Sequence, residues 1–422
     1  MKIAVPRETR AHETRVAASP ESVKRLTALG AELVIEAGAG EAASIADAAY
    51  EEAGASIARD AKEALAGAAV VLKVQRPQAN ELKLLDKGSL LISILDPLRA
   101  PEDMAAIAKA GVMAFAVDLM PRTTRAQTMD VLSSQANLAG YKAVIDGAAA
   151  FGRAFPMMMT AAGTIQPAKV FIMGAGVAGL QAIATARRLG AIVLATDVRP
   201  AAKQEVESLG AKFVAVEDEE FAQAQTAGGY AKEMSDAYKQ KQAALVAETI
   251  AKQDLVITTA LIPGRPAPRL ISAEMVRSMQ PGSVIVDLAV ENGGNCELSE
   301  PGKVAEVDGV TILGHLNMPG RLARDASQLY ARNLYSFLEL MIDRESKALN
   351  VDLEDDLIKG TLVTQEGEIV HERVREAAQA AGVIKAAAEP APAEEAPAAD
   401  ASSAAADEPA EESAKGSGGE SA

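Results

Sequence analysis

Gly174, Gly176 and Gly179 stand at the spacing G-x-G-x-x-G inside VFIMGAGVAGLQAIATARRLGAIVLATDVR, with a strand-like run before them and an Ala-rich helical run after. In that setting the three glycines do different work. The first permits a tight turn, the second lets the backbone approach a pyrophosphate, and the third lets helix and strand pack closely. A helix N-terminus adds free N–H groups and a partial positive charge, which suits phosphate. Asp197 ends the next strand, where an acid binds the adenosine ribose hydroxyls. A carboxylate there repels a 2′-phosphate and favours NAD(H) over NADP(H). Arg199 works against that inference, since an arginine can accept such a phosphate. An ordinary glycine turn is the rival reading, and strand, helix and terminal acid together argue against it.

Two further segments belong beside this cleft. TTALIPGRPAP, residues 258–268, follows a strand, and strand C-termini line the cleft of open α/β sheets, so Leu261 can touch adenine or ribose. QTAGGYAKEM, residues 225–234, lies in a long polar insertion, where Gly228, Gly229 and Tyr230 read as a lid tip or as an exposed loop. A third stretch, PRTTRAQTMD at 121–130, packs two arginines, Gln127 and Asp130 into ten positions with no histidine or cysteine nearby. It can hold a polar group in place but lacks the usual proton-transfer residue. From spacing alone, an orienting cluster and a polar inter-lobe hinge held by Arg–Asp pairing stand level.

The elements that must carry these residues follow an α/β pattern. KIAVP, AELVIEA, VVLKV, SLLISIL and VMAFAVD read as short buried strands, separated by Ala-rich helical stretches. One of these, SPESVKRLTALG, opens on a serine without a full capping box and ends on Gly30. Such alternation predicts a parallel sheet. SSQANLAGYKAVIDGAAAFGRAF has the helical spacing of Leu138, Tyr141, Ile145 and Ala148 and reads as a long helix bridging two lobes. A second α/β series runs through AKFVAV, DLVITTA, SVIVDLAV and VTILGH, and ARDASQLYARNLYSFLELMI then reads as a helix returning to the first lobe. The expected fold is α/β, with two Rossmann-like parallel-sheet domains joined by long helices. The first is discontinuous, over 1–133 and 323–385; the second, the dinucleotide domain with its linking helix, covers 134–322. Residues 386–422 are Ala, Pro, Glu and Ser-rich, with nine acidic residues against one lysine, and read as a disordered acidic tail.

Composition narrows the partners. The chain has 422 residues, 49% hydrophobic and 24% charged, enough for two or three domains with ordinary cores. Scarce aromatics, no Trp and a net charge of −16 argue against nucleic acid. The lone Cys296 excludes an internal disulfide and reads as a small buried residue. The opening MKIAVPRETR has no signal-peptide character, and no apolar run approaches the roughly 20 residues of a membrane helix. No metal site is read from the sequence.

AFPMMMTAAGTIQPAKVFIMGAGVAGLQAIATARRLGA, with PRTTRAQTMDVLSSQANLAGY before it and GGYAKEM and VDLAVENGGNCELSEPGK after it, closely resembles the NAD(H)-binding domain of proton-translocating nicotinamide nucleotide transhydrogenases. The similarity runs from residue 1 to about 380. Alanine dehydrogenases share the fold, and VPRETRAHETRVAASP resembles them too. The transhydrogenase resemblance implies that this subunit binds NAD(H) and that a partner subunit carries NADP(H). Hydride passes directly from NADH to NADP⁺ while membrane-spanning subunits translocate protons. It implies a homodimer on the cytoplasmic face of a membrane, attached through partners and without a membrane helix of its own. Arg122, Gln127, Asp130 and Ser133 match the residues that hold the nicotinamide end. Val177, Asp197, Val198, Arg199, Gly229, Gln242 and Leu261 match contacts to the rest of NAD.

The two relatives need different chemistry. Oxidising an amino acid removes a proton as hydride leaves, which requires a placed general base. Where alanine dehydrogenases carry a catalytic His this chain has Asp96, and where they carry a catalytic Asp it has Glu291. Transfer between two nicotinamide rings needs only that they be held face to face. Arg122 and Gln127 then serve a carboxamide, and Asp130 fixes Arg122 by charge-assisted hydrogen bonds. Arg15 and Lys73, which match the substrate-binding cations of alanine dehydrogenases, read here as ion-pair partners of Glu8 or Glu13. An alanine-dehydrogenase-like amino acid dehydrogenase and a non-catalytic NAD-sensing scaffold are the alternatives.

Overall fold

Runs rich in Val, Ile, Leu and Ala form strands whose side chains are buried on both faces, as covered parallel sheets require. In the computed structural model the first series is Lys2–Val5 (β1), Glu32–Glu36 (β2), Ser56–Ala58 (β3), Val70–Gln75 (β4), Leu90–Ile94 (β5) and Met113–Ala116 (β6). Met158–Thr160 (β7) and Gly163–Ile165 (β8) make a separate antiparallel hairpin. The second series is Lys169–Met173 (β9), Ile192–Thr196 (β10), Lys212–Phe213 (β11), Leu255–Thr258 (β12), Val284–Asp287 (β13), Val304–Val307 (β14) and Val310–Leu313 (β15). Leu362–Gln365 (β16) and Glu368–Ile369 (β17) follow late in the chain. The structure describes residues 1–224, 234–262 and 264–385. Gly228, Gly229, Tyr230 and the acidic stretch 386–422 lie outside them.

The strands assemble in the orders β17-β16-β6-β5-β4-β1-β2-β3 and β11-β10-β9-β12-β13-β15-β14. Strands β1–β6 pair parallel, with β16 added antiparallel to β6. Strands β9–β13 and β15 pair parallel, with β14 antiparallel on the edge. The expected α/β class with two parallel sheets is what folds, and the first sheet takes its last strands from beyond residue 360. Both sheets lie in one compact unit, Met1–Ile384.

The helices that set the lobes together fall where apolar spacing placed them. The bridging helix Val131–Ala150 lies against the helix Val177–Arg188, so close that a Cβ on Gly140 would overlap the Ala178 carbonyl oxygen. The return helix Ala323–Glu339 buries Tyr330, Leu334, Phe337 and Leu338 in the core of the first sheet. Helix Pro20–Ala28 departs from the sequence reading in one respect. Ser19 Oγ accepts from Ser22 N–H and Ser22 Oγ accepts from Ser19 N–H, a full capping box in which a serine takes the place of the usual Glu.

Candidate functional site

Counted from β9, the parallel strands of the second sheet run 3-2-1-4-5-6. In that order the ligand crevice lies outside the C-terminal ends of strands 1 and 4, here β9 and β12. Gly174 and Thr259 meet at that point. Thr259 N–H donates to Met173 O (2.9 Å) and Thr259 Oγ1 donates to Gly174 O (3.0 Å). Gly174 sits at φ +106°, a conformation side chains resist, and its N–H donates to Thr196 O (2.8 Å). A Cβ on Gly179 would overlap the Gly174 carbonyl oxygen, so the third glycine is demanded by helix–strand packing. Gly176, the N-cap of helix Val177–Arg188, is different: nothing lies within 4 Å of where its Cβ would be. The protein packs around Gly174 and Gly179 and leaves open space at Gly176, beside the free N–H groups of a helix start. That is the shape a phosphate group fills.

Asp197 is held across this turn. Its Oδ2 accepts from Ala175 N–H (2.8 Å), and its Oδ1 accepts from Arg199 N–H (2.8 Å). The Arg199 guanidinium forks onto both oxygens, Nε to Oδ1 (2.9 Å) and Nη2 to Oδ2 (3.0 Å). This hydrogen-bonded pairing raises the Arg199 pKa further above its ordinary value. Ribose hydroxyls reaching Asp197 would displace the Arg199 side chain, the more exposed partner. Val177, Val198 and Leu261 each follow a residue of the crevice wall and are 41, 50 and 52% exposed, apolar surface turned outward where a nucleotide would cover it. Gln242 stands beside the end of β10. Its Oε1 accepts from Val216 N–H (2.9 Å) and its Nε2 donates to Thr196 Oγ1 (3.1 Å), bracing the end of β10.

The crevice floor rests on a buried hub that the sequence reading does not single out. Asp287, at the end of β13, is wholly buried and accepts from Thr258 Oγ1, Ala289 N–H, Asn295 N–H, Cys296 N–H and Ser299 Oγ. Asn295 in turn accepts from Ala260 N–H and donates to Ala260 O and Pro268 O, fixing the loop that carries Leu261. An acid at a strand C-terminus is the signal that could have found it. Cys296 beside it is buried, and burial pushes its thiol up to about 11.

The 121–130 stretch lies at the start of the bridging helix. Ala126 and Met129 are buried in the first lobe, while Arg122 and Gln127 are exposed. Asp130 is the N-cap: its carboxylate accepts from Ser133 N–H (2.9 Å) and Ser133 Oγ (2.5 Å). This capping role is one that the sequence reading does not assign to Asp130. Arg125 pairs with Asp355. From Ser133 to Gly140, which abuts the glycine-turn helix, is two helical turns, roughly 10 Å at 1.5 Å per residue. The polar loop and the glycine turn are therefore held by one rigid rod.

The matching cations are internally paired. Arg15 forks onto Glu13 (2.8 and 2.7 Å), and Lys73 contacts Glu81 (2.8 Å) and Glu8 (3.3 Å). Glu81 is a partner that the sequence reading lacks. Burial pushes the Glu8 carboxyl above its ordinary range despite Lys73. Burial acts the same way on Glu13, but the Arg15 and Gln75 hydrogen bonds outweigh it and hold Glu13 below that range. Asp96 lies 3.8 Å from Arg99, and Glu291 accepts from Asn317 N–H. Among the described residues no group of three or more His, Cys, Asp or Glu is placed to hold a metal, and no helix is long and apolar enough to cross a membrane.

Known proteins share this fold. Residues 4–139 match the model of the alanine dehydrogenase/PNT N-terminal domain, and residues 143–372 that of its C-terminal domain. An NAD(P) transhydrogenase subunit alpha chain of Rhodospirillum rubrum is 57% identical over 376 residues, 88% of this chain and 98% of that protein. The crystal structure of transhydrogenase from Sinorhizobium meliloti superimposes with a TM-score of 0.80 at 57% identity, covering 88% of this chain and all of that one. The alanine dehydrogenase of Halomonas elongata is 32% identical over 89% of this chain and 96% of that protein. The chain belongs to the alanine dehydrogenase/PNT family, and within it stands nearer to these NAD(P) transhydrogenase alpha subunits than to this alanine dehydrogenase.

Proposed function

We propose that this chain is the NAD(H)-binding subunit of a proton-translocating NAD(P)⁺ transhydrogenase. The observation that carries the reading is the cradle at Gly176, open by one Cβ and walled by Asp197, joined by a rigid helix to a loop of orienting side chains. The N–H groups at the start of helix Val177–Arg188 would bind the pyrophosphate, and Asp197 the adenosine ribose. Val177, Val198 and Leu261 would cover its apolar faces. Arg122 and Gln127 would orient the carboxamide, with Asp130 and Ser133 fixing the loop to the helix. NADH, when bound, supplies the hydride. The residues of this chain orient and exclude water; none has to move a proton, which fits Asp96 and Glu291 standing where alanine dehydrogenases carry their catalytic His and Asp. The hydride acceptor is NADP⁺ on a partner subunit, and membrane-spanning subunits couple the transfer to proton movement. In this reading the chain lies on the cytoplasmic face, held there by those partners.

A homodimer completes the reading. The β7–β8 hairpin is a two-stranded ribbon, marginal in water by itself. It carries Met158 and Ile165, 41 and 37% exposed, and Met159 at 80%, with Met157 at 59% just before it. We assign this apolar surface to contact with a second copy of the chain.

The test is a titration of the full chain with NADH and NADPH, following nicotinamide fluorescence. Selective NADH binding is expected, and mixing with an NADP(H)-loaded partner should restore hydride transfer. NADPH binding as tight as NADH would overturn the cofactor assignment. NADH oxidation by the isolated chain that depends on pyruvate and ammonia would establish a dehydrogenase instead.

A further inference from the structure

The first sheet also has a crevice, and its occupants are the chain's own side chains. Its strands β3-β2-β1-β4-β5-β6 repeat the 3-2-1-4-5-6 order, which puts the crevice at the ends of β1 and β4. Glu8, just after β1, accepts from Val74 N–H (2.6 Å) on β4, and Lys73 and Arg15 lie beside it with their carboxylate partners. One hydrogen-bonded chain leaves this cluster through Arg15. Arg15 Nη1 donates to Gln135 Oε1 (2.9 Å). Gln135 Nε2 donates to Ala326 O (3.1 Å) and, at 3.4 Å, to Ser134 Oγ. Ser134 Oγ donates to Asn333 Oδ1 (2.7 Å), and Asn333 Nδ2 donates to Thr128 O (2.7 Å). Arg15, Gln135 and Asn333 are 4, 6 and 7% exposed. The amide orientations are dictated by chemistry: Thr128 O and Ala326 O can only accept, and Arg15 can only donate.

Thr128 lies between Gln127 and Asp130, so the relay ends on the backbone of the polar loop. Asn333 comes from the return helix and, through Ser134, ties that loop to the first turn of the bridging helix. We propose that Asn333 is a positioning residue for the nicotinamide-holding loop, and that Arg15 acts through Gln135 and Ser134 to hold it in place. This rests on the functional reading above, and it gives Arg15 a task that needs no substrate carboxylate. Because buried polar groups with one geometry lock their neighbours, loss of the clamp should free the loop while leaving the glycine turn intact. A displacement of about 1 Å at a reacting group can cost a hundredfold in rate.

The experiment uses the full chain as parent, Asn333→Ala, Ser134→Ala and Ser134→Thr. Amide hydrogen exchange of residues 121–130 is read without ligand. NADH affinity, fluorescence anisotropy of the bound nicotinamide, and hydride transfer to an NADP⁺-loaded partner are read with it. Both Ala variants should exchange faster across the loop, keep NADH affinity within about threefold, let the bound ring move, and lose tenfold to a hundredfold in transfer. Ser134→Thr keeps the hydroxyl and should restore the parent's behaviour. Unchanged exchange in both Ala variants overturns the clamp whatever the activity. Faster exchange with an equally immobile ring and parental transfer makes the relay structural only and overturns the positioning role. A parent that exchanges as expected but binds no NADH overturns the functional reading, and the positioning role with it.

Discussion

Gly176→Ala and Gly179→Ala differ by three positions on one turn, and the structure assigns them opposite consequences. At Gly179 the new Cβ would overlap the Gly174 carbonyl oxygen and carbon, so backbone must move. Overpacking of that kind costs about 1–3 kcal/mol, occasionally more. At Gly176 the Cβ meets nothing within 4 Å, and φ is −75°, which any residue adopts. Ala is a poorer N-cap than Gly by up to about 1 kcal/mol, while the lost freedom of the unfolded chain returns about 0.4–1 kcal/mol. The two nearly cancel, so the ligand-free Gly176→Ala protein should melt within a few degrees of the parent. Its NADH affinity should not survive. A methyl group in the cradle pushes the pyrophosphate off the helix N–H groups, and one hydrogen bond to a charged group is worth about 1.5–3 kcal/mol. The dissociation constant should rise by roughly 10- to 150-fold. Thermal unfolding by circular dichroism gives the first quantity and nicotinamide fluorescence the second. Parental NADH affinity in Gly176→Ala would mean that the cofactor does not enter this turn. A melting point lowered as far as that of Gly179→Ala would mean that the cradle is packed rather than open.

Four further outcomes are expected. Asp130→Asn keeps an N-cap side chain for Ser133 but loses the charge, and with Arg122→Ala it should lower hydride transfer at least tenfold while NADH affinity changes little; a parallel loss of binding refutes the positioning role. Asp197→Asn should weaken NADH by roughly tenfold and strengthen NADPH, since the carboxylate that repels a 2′-phosphate is gone; equal losses for both nucleotides would sink that account. Burial pushes the Asp118 carboxyl up to about 6, although it accepts from Leu95 and Asp96 N–H. A folded value above the unfolded one of about 3.9 means stability that is present below pH ~4 and lost as pH rises through about 6, a change of roughly 3 kcal/mol. Urea unfolding of Asp118→Asn should show a flatter profile over that window, and a profile parallel to the parent's would refute the assignment. Met159→Asp, on the 80% exposed hairpin position, should convert a sedimenting dimer to monomer, and an unchanged sedimentation coefficient would place the dimer contact elsewhere.

What the residues reveal depends on how local the constraint is. Gly174 must take φ +106° and Gly179 must let Gly174 pass, and both demands are met within six residues, so the spacing alone betrays the turn. The parallel strands betray themselves in the same way, because burial on both faces selects an unbroken apolar run. Where the run is short the signal fails: Ser56–Ala58 has three residues, and AKFVAV yields only Lys212–Phe213, since an edge strand needs fewer partners. The β7–β8 hairpin has strands of three residues each, too short for its β-branched Thr160, Thr164 and Ile165 to mark it, and its exposure removes any alternation to detect.

The relay through Asn333 shows the limit from the other side. Its contacts join residues 199 and 205 positions apart, and Gln135 reaches Arg15 across 120. No window of sequence contains them, and each residue type has an innocuous local reading. Chemistry still ranks the possibilities. A buried Arg must find acceptors, and a substrate carboxylate or an internal one satisfies it equally well. In this chain Glu13 and Gln135 take all the nitrogens of Arg15 that the structure pairs, so a ligand carboxylate arriving there would have to displace an existing bond. Glu13 and Arg15 stand two positions apart, and that pairing is legible in the sequence. The step from Gln135 onward is not, because it is the first sheet's crevice, assembled only after folding, that decides where a buried arginine's last hydrogen bond goes.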